Sequence, residues 1–307
     1  MTELTDGILL IDKKEGETSY DVVRKIKRLS KIRKIGHAGT LDPFATGLLI
    51  ILLGQGTKLS NFIMSGQKLY LATLRLGVET DTLDPTGQEI RTSPVPDISP
   101  EQIREKAREF IGDIEQTPPA FSAVKHKGVP AYKLARRGMA PELKRRRVSI
   151  FDIRILSVDL PDITMEVACS AGTYIRSLAA DMAGELGPGG HLVSLRRLAS
   201  GRFSVNNALC LGRILDRESV SFIRDNLIPL ASAVPEMPEI EVVGSLADKI
   251  RFGYRPYWEE LSDGLNATCR ESIYVKLVSN KELVAIVKVN LSKGVGHGHV
   301  KIKRVFV

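Results

Sequence analysis

The stretch Gly36-His37-Ala38-Gly39-Thr40-Leu41-Asp42-Pro43-Phe44-Ala45-Thr46-Gly47, followed by the apolar run Leu48 to Leu53, decides how this chain is read. It sets one carboxylate, Asp42, in a turn that feeds directly into a buried strand. Gly36, Gly39 and Gly47 permit backbone angles or close approaches denied to larger residues, and Pro43 stiffens the chain immediately after the acid. Asp-Pro and Gly-rich segments are also ordinary turn material, so spacing alone reads as a turn. An acid held on a rigid element is, equally, well placed for chemistry.

Outward from this stretch, residues 7 to 12 read as a strand, and Thr18 and Ser19 can cap a helix with Val22, Val23, Ile26 and Leu29 on its inner face. The basic residues from Arg24 to Lys34 fall mostly on the open faces of that helix or just beyond it. Leu69 to Leu76 alternates like a strand. Ser99-Pro100-Glu101-Gln102 is a helix start, with Ser as N-cap, Pro in the first turn and Gln at the capping-box position. Ile103, Ala107, Phe110 and Ile111 supply its inner face. Strand patterns follow at Val148 to Val158 and Ile163 to Cys169, then helical patterns at about Tyr174 to Leu186 and Gly190 to Ala199. After Pro235 and Pro238 the pattern changes to short strands at Ile273 to Val278, Leu283 to Val289 and Val300 to Val307. Strands and helices intersperse without a βαβ repeat or a solenoid period, which points to an α+β fold.

At 307 residues, with 43% hydrophobic and 26% charged content, the composition is that of a soluble globular protein. The longest strongly apolar run is six residues, far short of a membrane span, and no secretory signal is visible, so a cytoplasmic protein is expected. Cys169, Cys210 and Cys269 are odd in number and far apart, which suits reduced thiols. No Cys-x-x-Cys or His-x-x-x-His spacing supports a metal site, and His297 and His299 read as a solvated loop. The net charge of +8 is unevenly spread: Lys125 to Arg154 holds ten Lys and Arg against two acids, while the rest of the chain is balanced. So local a surplus, containing Lys144-Arg145-Arg146-Arg147, fits a phosphate-binding arm better than a merely solvated face.

Two sequences carry candidate chemistry. Thr40-Leu41-Asp42-Pro43 has a near copy at Thr82-Leu83-Asp84-Pro85, and the residues alone do not say which aspartate matters or whether the two cooperate as acid and base. Cys169-Ser170-Ala171-Gly172-Thr173-Tyr174-Ile175-Arg176 reads as a strand, a turn and a helix start. Gly54-Gln55-Gly56-Thr57-Lys58 lacks P-loop spacing, so no nucleotide loop is implied.

The ordered series Gly7-Ile8-Leu9-Leu10-Ile11-Asp12-Lys13, Gly16-Glu17-Thr18-Ser19, Gly36 to Gly47 and Gly54-Gln55-Gly56-Thr57-Lys58-Leu59-Ser60 resembles the TruB family of tRNA pseudouridine synthases. One departure is Lys14-Glu15, where the family usually has proline directly after the lysine matching Lys13. The resemblance implies an α+β pseudouridine synthase fold with a central mixed, mainly antiparallel sheet over residues 1–237. It further implies a PUA-like β-barrel over 238–307 and an RNA-clamping insertion at about 120–148. It makes Asp42 the nucleophile, with Arg176 salt-bridged to it and lowering its pKa, and Tyr174 and Lys13 as support. Tyr70 is expected to stack on the target uracil and Leu198 to wall it. Asp84 is expected in a structural, RNA-facing loop, which disfavours a glycosidase-like pair of carboxylates. His37, Lys125, Arg136, Arg137, Lys144, Arg145, Arg146 and Arg147 are expected to contact RNA. The implied substrate is the T arm of tRNA at the uridine conventionally numbered 55, handled by a monomer without cofactor, metal or obligatory protein partner. Two alternatives stay open: a noncatalytic RNA-binding protein, and a synthase of the same family acting on another RNA, including its guide-dependent branch.

Overall fold

The computed structural model describes residues 6–139, 142–212, 220–261, 273–291 and 298–307. The chain runs through β1 (Gly7–Lys13), α1 (Ser19–Ser30), β2 (Ile35–His37) and β3 (Thr46–Leu53). A 3₁₀ turn, Gly54–Leu59, and α2 (Ser60–Met64) lead to β4 (Lys68–Leu76), the hairpin of β5 (Val78–Thr80) with β6 (Glu89–Thr92), and α3 (Pro100–Glu109). β7 (Gly112–Gln116) precedes a small ribbon, β8 (Lys125–His126) with β9 (Val129–Pro130), and α4 (Ala131–Ala135). Then come β10 (Arg146–Asp159), β11 (Asp162–Cys169), α5 (Ile175–Glu185), β12 (Gly190–Ser200), β13 (Phe203–Ser204) and β14 (Leu209–Cys210). After the helix Val220–Asp225 follow β15 (Glu239–Glu241), the helix Gly244–Arg251, β16 (Ile273–Ser279), β17 (Glu282–Leu291) and β18 (Gly298–Val305).

The expected α+β architecture is present. The main sheet has the order β14-β1-β3-β12-β4-β11-β10-β7, with β2 added to β3 and β13 to β12. Within this sheet, among the described residues, β1/β14 and β3/β12 pair in parallel and the other pairs are antiparallel. An unbroken apolar run in a strand means that both faces are covered, and β3 divides its side chains accordingly. Leu49, Ile51 and Leu53 pack with Val22, Val23 and Ile26 of α1. Leu48, Ile50 and Leu52 pack with Val278, Leu283, Ile286 and Phe306 of the C-terminal segment. A third core under β4, β11 and β12 is closed by α3 and α5.

Local signals place the helices. Thr18 caps α1 in a reciprocal box with Asp21, and Lys31 ends it at φ +58°. Ser99 and Gln102 form the expected box at the start of α3, whose Ile103 and Ala107 are buried. Ile111, expected on that inner face, is 39% exposed because it lies beyond the helix end at Phe110.

Two expectations are corrected. Gly190 to Ala199 is a central strand, β12, with no helix. Bulges between Leu192 and Ser194 and between Arg197 and Ala199 each add a residue, so the buried positions Leu192, Leu195, Arg197 and Ser200 imitate helical spacing. The terminal strands form an open sheet, β15-β16-β17-β18, with no barrel closure among the described residues, because β15 and β18 each pair on one side only. Of the cysteines, Cys169 and Cys210 are free thiols; Cys269 and His297 lie outside the described residues.

Phe306, 2% exposed between the two sheets, is central to this arrangement. Phe306→Ala is expected to cost about 3–5 kcal/mol in reversible urea unfolding, through the cavity it leaves.

Candidate active site

The free edge of β3 is shared. β2 pairs with its last three residues and β12 with Thr46 and Gly47, so the chain from Ala38 to Ala45 emerges where one neighbour gives way to the other. Asp42 sits on this emerging loop, and its backbone is held from every side. Ala45 N donates to Asp42 O at 3.1 Å, closing a turn with Pro43 at its second position. Ser19 Oγ donates to Leu41 O and accepts from Leu41 N, at 3.1 and 2.9 Å. Pro43 O accepts from Gly16 N at 2.9 Å and from Lys13 Nζ at 3.2 Å. Lys13 is 1% exposed, and its ammonium also donates to Lys14 O and Glu17 O. Burial pushes its pKa down to about 8, against the pull of Glu17 and Asp42.

Arg197 of β12 braces the other side. It is 1% exposed, has no carboxylate partner among the described residues, and donates to Leu48 O, Thr40 O and Gly39 O at 2.7, 3.4 and 3.2 Å. The backbone of the same residue crosses β3 so closely that a Cβ at Gly47, where φ is +97°, would lie 2.4 Å from Arg197 O. Glycine is therefore required at position 47 for the two strands to meet.

Arg176, in the first turn of α5, is 3% exposed and gathers three other segments. Its Nε lies 2.9 Å from Asp42 Oδ2 and its Nη1 3.1 Å from Asp84 Oδ2. The Nε contact is a charge contact without hydrogen-bond alignment. Nη1 also donates to Thr82 O at 2.8 Å and Nη2 to Phe121 O at 3.0 Å. Asp84 is 4% exposed and accepts from Thr82 Oγ1, Thr86 N and Thr86 Oγ1, so its side chain is an internal anchor of that loop. The expected lowering of the Asp42 pKa is also corrected. Burial, with Asp84 adding to it, raises that pKa above the ordinary aspartate value despite Arg176 and Lys13.

Around Asp42 opens a cleft of about 280 Å³, close to the lower end of small-ligand sites. Tyr70, Tyr174, Arg176, Leu195, Arg197 and Lys68 line it, together with Ser122, whose buried Oγ has no partner among the described residues. Tyr70 is 9% exposed, and its phenol is raised in pKa by burial. The backbone of Tyr174 is fixed by Gln116, which accepts from its N–H at 2.7 Å and donates to its carbonyl at 2.9 Å. Leu198, expected as the apolar wall, does not line the cleft, since it is the extra residue of the second β12 bulge. Leu195 takes the wall position, two residues from Arg197 on the same face.

Other expected residues lie outside this constellation. His37 is half-buried at the end of β2, its Nδ1 has no partner among the described residues, and burial together with Arg197 lowers its pKa. Lys125, Arg136, Arg137, Lys144, Arg145, Arg146 and Arg147 are exposed along the insertion and the start of β10. Arg136 stacks over Tyr132, and Arg147 and Arg145 approach Asp113 and Glu115 at 3.2 and 3.8 Å. No group of three or more potential metal ligands occurs among the described residues.

The model of the TruB family pseudouridylate synthase N-terminal domain matches residues 27–175. A curated relative named tRNA pseudouridine synthase B, from Geobacter sulfurreducens, is 38% identical over 281 residues, 92% of each chain. This chain belongs to the TruB family. Another TruB relative of the same name, from Syntrophotalea carbinolica, is 41% identical over 261 residues, 85% of each chain. Among solved structures, a chain of a Cbf5-Nop10-Gar1 complex matches with TM-score 0.77 at 26% identity, covering 99% of this chain and 86% of that one. The TruB likeness thus extends well past the family model's boundary. Lys68, Gln116 and Ser122 join the candidate site without having been singled out for it in the sequence. Asp84, weighed there against Asp42, enters it as the second carboxylate on Arg176, and Leu195 and Arg197 line the cleft beside the expected Leu198.

Arg197→Met is expected to destabilise the protein by about 1–3 kcal/mol in urea unfolding, chiefly through the buried Leu48 carbonyl it leaves unpaired. Amide hydrogen exchange across residues 38–42 should accelerate selectively.

Proposed function

We propose that this chain isomerises uridine to pseudouridine in tRNA, at the T-loop position conventionally numbered 55. The reading is carried by Asp42, a carboxylate on a clamped loop beside a buried guanidinium, opening into a cleft of nucleoside scale in a TruB-family chain. In the reaction the N1–C1′ bond breaks, the uracil turns, C5 bonds to C1′, and the C5 proton is released while N1 gains one. No atoms are gained or lost overall, and no electron carrier or energy donor is required.

The target base must leave the RNA stack to reach Asp42, at a cost of a few kcal/mol. Tyr70 and Leu195 offer a ring face and an apolar wall that recover part of that cost. Asp42 acts in its ionised form, with Arg176 holding the carboxylate in place. Ser122 Oγ supplies an unspent hydrogen-bonding group to the base. The exposed cations of the insertion, with His37, hold the RNA around the target loop, and residues 238–307 serve as a further RNA-binding unit. The protein works as a cytoplasmic monomer. No helix among the described residues is long and apolar enough to cross a membrane.

Tritium release from C5-labelled uridine in an unmodified tRNA transcript tests the reading. The native protein should release tritium and Asp42→Asn should not. Asp84→Asn should retain the chemistry but lose stability, on the order of 3–5 kcal/mol, because it breaks a buried ion pair. No release by the native protein despite tight tRNA binding overturns the proposal in favour of a noncatalytic RNA-binding role.

Because ionised Asp42 is required and its pKa is raised, the acid limb of the single-turnover rate should lie above the ordinary aspartate value of 3.8. Arg176→Met removes a cation that favours the ionised form, so the limb should move further upward in pH.

A further inference from the structure

Apart from the insertion, the charge balance along the chain conceals a spatial cluster. Seven of the eleven residues from Arg24 to Lys34 are Lys or Arg, and none is acidic. Two are committed, Arg24 to Asp21 at 2.8 Å and Lys25 to Glu17. Lys27, Arg28, Lys31, Arg33 and Lys34 are exposed and pair with no carboxylate among the described residues. Lys27, Arg28 and Lys31 share the outer face of α1. Cations there complement the helix C-terminus, but that effect is confined to the last turn, and Arg33 and Lys34 lie beyond the helix.

This stripe does not end with α1. Gly54 N donates to Lys34 O at 2.8 Å, which brings the loop before β2 against the 3₁₀ turn. In that turn Lys58 Nζ donates to Val305 O at 2.5 Å, and Val307 N donates to Gln55 Oε1 at 2.8 Å, so β18 docks at the same place. The ammonium of Lys58 senses both Lys34 and Arg304, and Asp6 is the acid that opposes them. Asp6 is itself engaged by Gln55. A positive seam therefore runs from the outer face of α1 around the end of β3 to the exposed Arg304 of the C-terminal sheet.

The seam is remote from the cleft. Asp42 lies just before the start of β3 and the seam at its end, and seven strand steps span about 23 Å. A nucleotide flipped into the cleft cannot reach it. We propose that the seam binds the phosphate backbone of the tRNA substrate beyond the target loop and the base pairs that close it. The inference rests on the tRNA reading above. Repeated phosphates suit a line of exposed lysines and arginines that offers no pocket for a base, and such contacts position RNA without reading its sequence.

The test compares Lys27→Gln/Lys31→Gln/Lys34→Gln with the native protein on two RNAs, a full unmodified tRNA transcript and a hairpin holding only the T loop and a short stem. All three positions are exposed, so the variant should fold. Binding to full tRNA should weaken at least tenfold at moderate salt, with a log–log salt slope shallower by about two. Hairpin affinity and single-turnover tritium release from saturating hairpin should not change. Arg304→Gln alone should weaken full tRNA in the same direction. Unchanged binding of full tRNA by the triple variant overturns the inference, and so does equal weakening on both RNAs, which would place the effect at the cleft. Absence of tritium release by the native protein would instead overturn the proposed activity, and the two binding comparisons would still decide the seam.

Discussion

The site depends on one guanidinium. Arg176 is enclosed almost completely, and two carboxylates converge on it, Asp42 from the loop before β3 and Asp84 from the turn after β5. One cation cannot fully compensate two anions in a poorly solvated place, so the carboxylate with the fewer hydrogen bonds bears the residual cost. That carboxylate is Asp42. Asp84 is satisfied by the Thr82 and Thr86 hydroxyls and a backbone N–H, whereas Asp42 opens to the cleft. The arrangement fixes the position of the half-buried acid by burying its partner, and leaves its charge available to a substrate.

The backbone geometry that delivers Asp42 to this partner comes from the sheet. β3 has one edge filled by β1 and the other divided between β2 and β12, and the loop leaves at the division. A loop leaving a sheet edge would ordinarily be mobile. Here Lys13 from β1 and Arg197 from β12 reach its carbonyls from two sides, both as buried cations held by backbone oxygen and not by carboxylates. Neither neutralises Asp42 directly, and Lys13 favours the negative charge beside it.

Much of this was legible in the sequence, for identifiable reasons. β1, α1, β3, β4, α3 and β11 carry strong local signals: unbroken or alternating apolar runs, a capping box, a proline in the first turn. Asp42 and Arg176 stood out through family motifs, and the structure brings them into contact. β12 was misread because its two bulges convert a strand's two-residue period into spacings of three. The wall at Leu198 was implied by the resemblance alone, and Leu195 lines the cleft instead. Asp84 looked like a repeated turn because burial and a shared partner ninety-two residues away leave no trace in local pattern. The terminal strands were legible as short apolar runs, but their closure into a barrel was implied only by the resemblance, and strand spacing does not specify closure. Charge counting found the basic insertion but passed over the α1 stripe, whose surplus is offset by acids distant in space.

The packing of the C-terminal sheet on β3 bears on how the chain is made. Leu48, Ile50 and Leu52 sit in the first sixth of the sequence, yet the residues that cover them include Val278, Leu283, Ile286 and Phe306. During synthesis the N-terminal part emerges first. Until its last strands leave the ribosome, the central strand of the nascent sheet carries an apolar face with only part of its cover, on the element that ends in the candidate nucleophile's loop. Completion of the core, and so of the rigid platform beneath Asp42, is therefore a late event of synthesis.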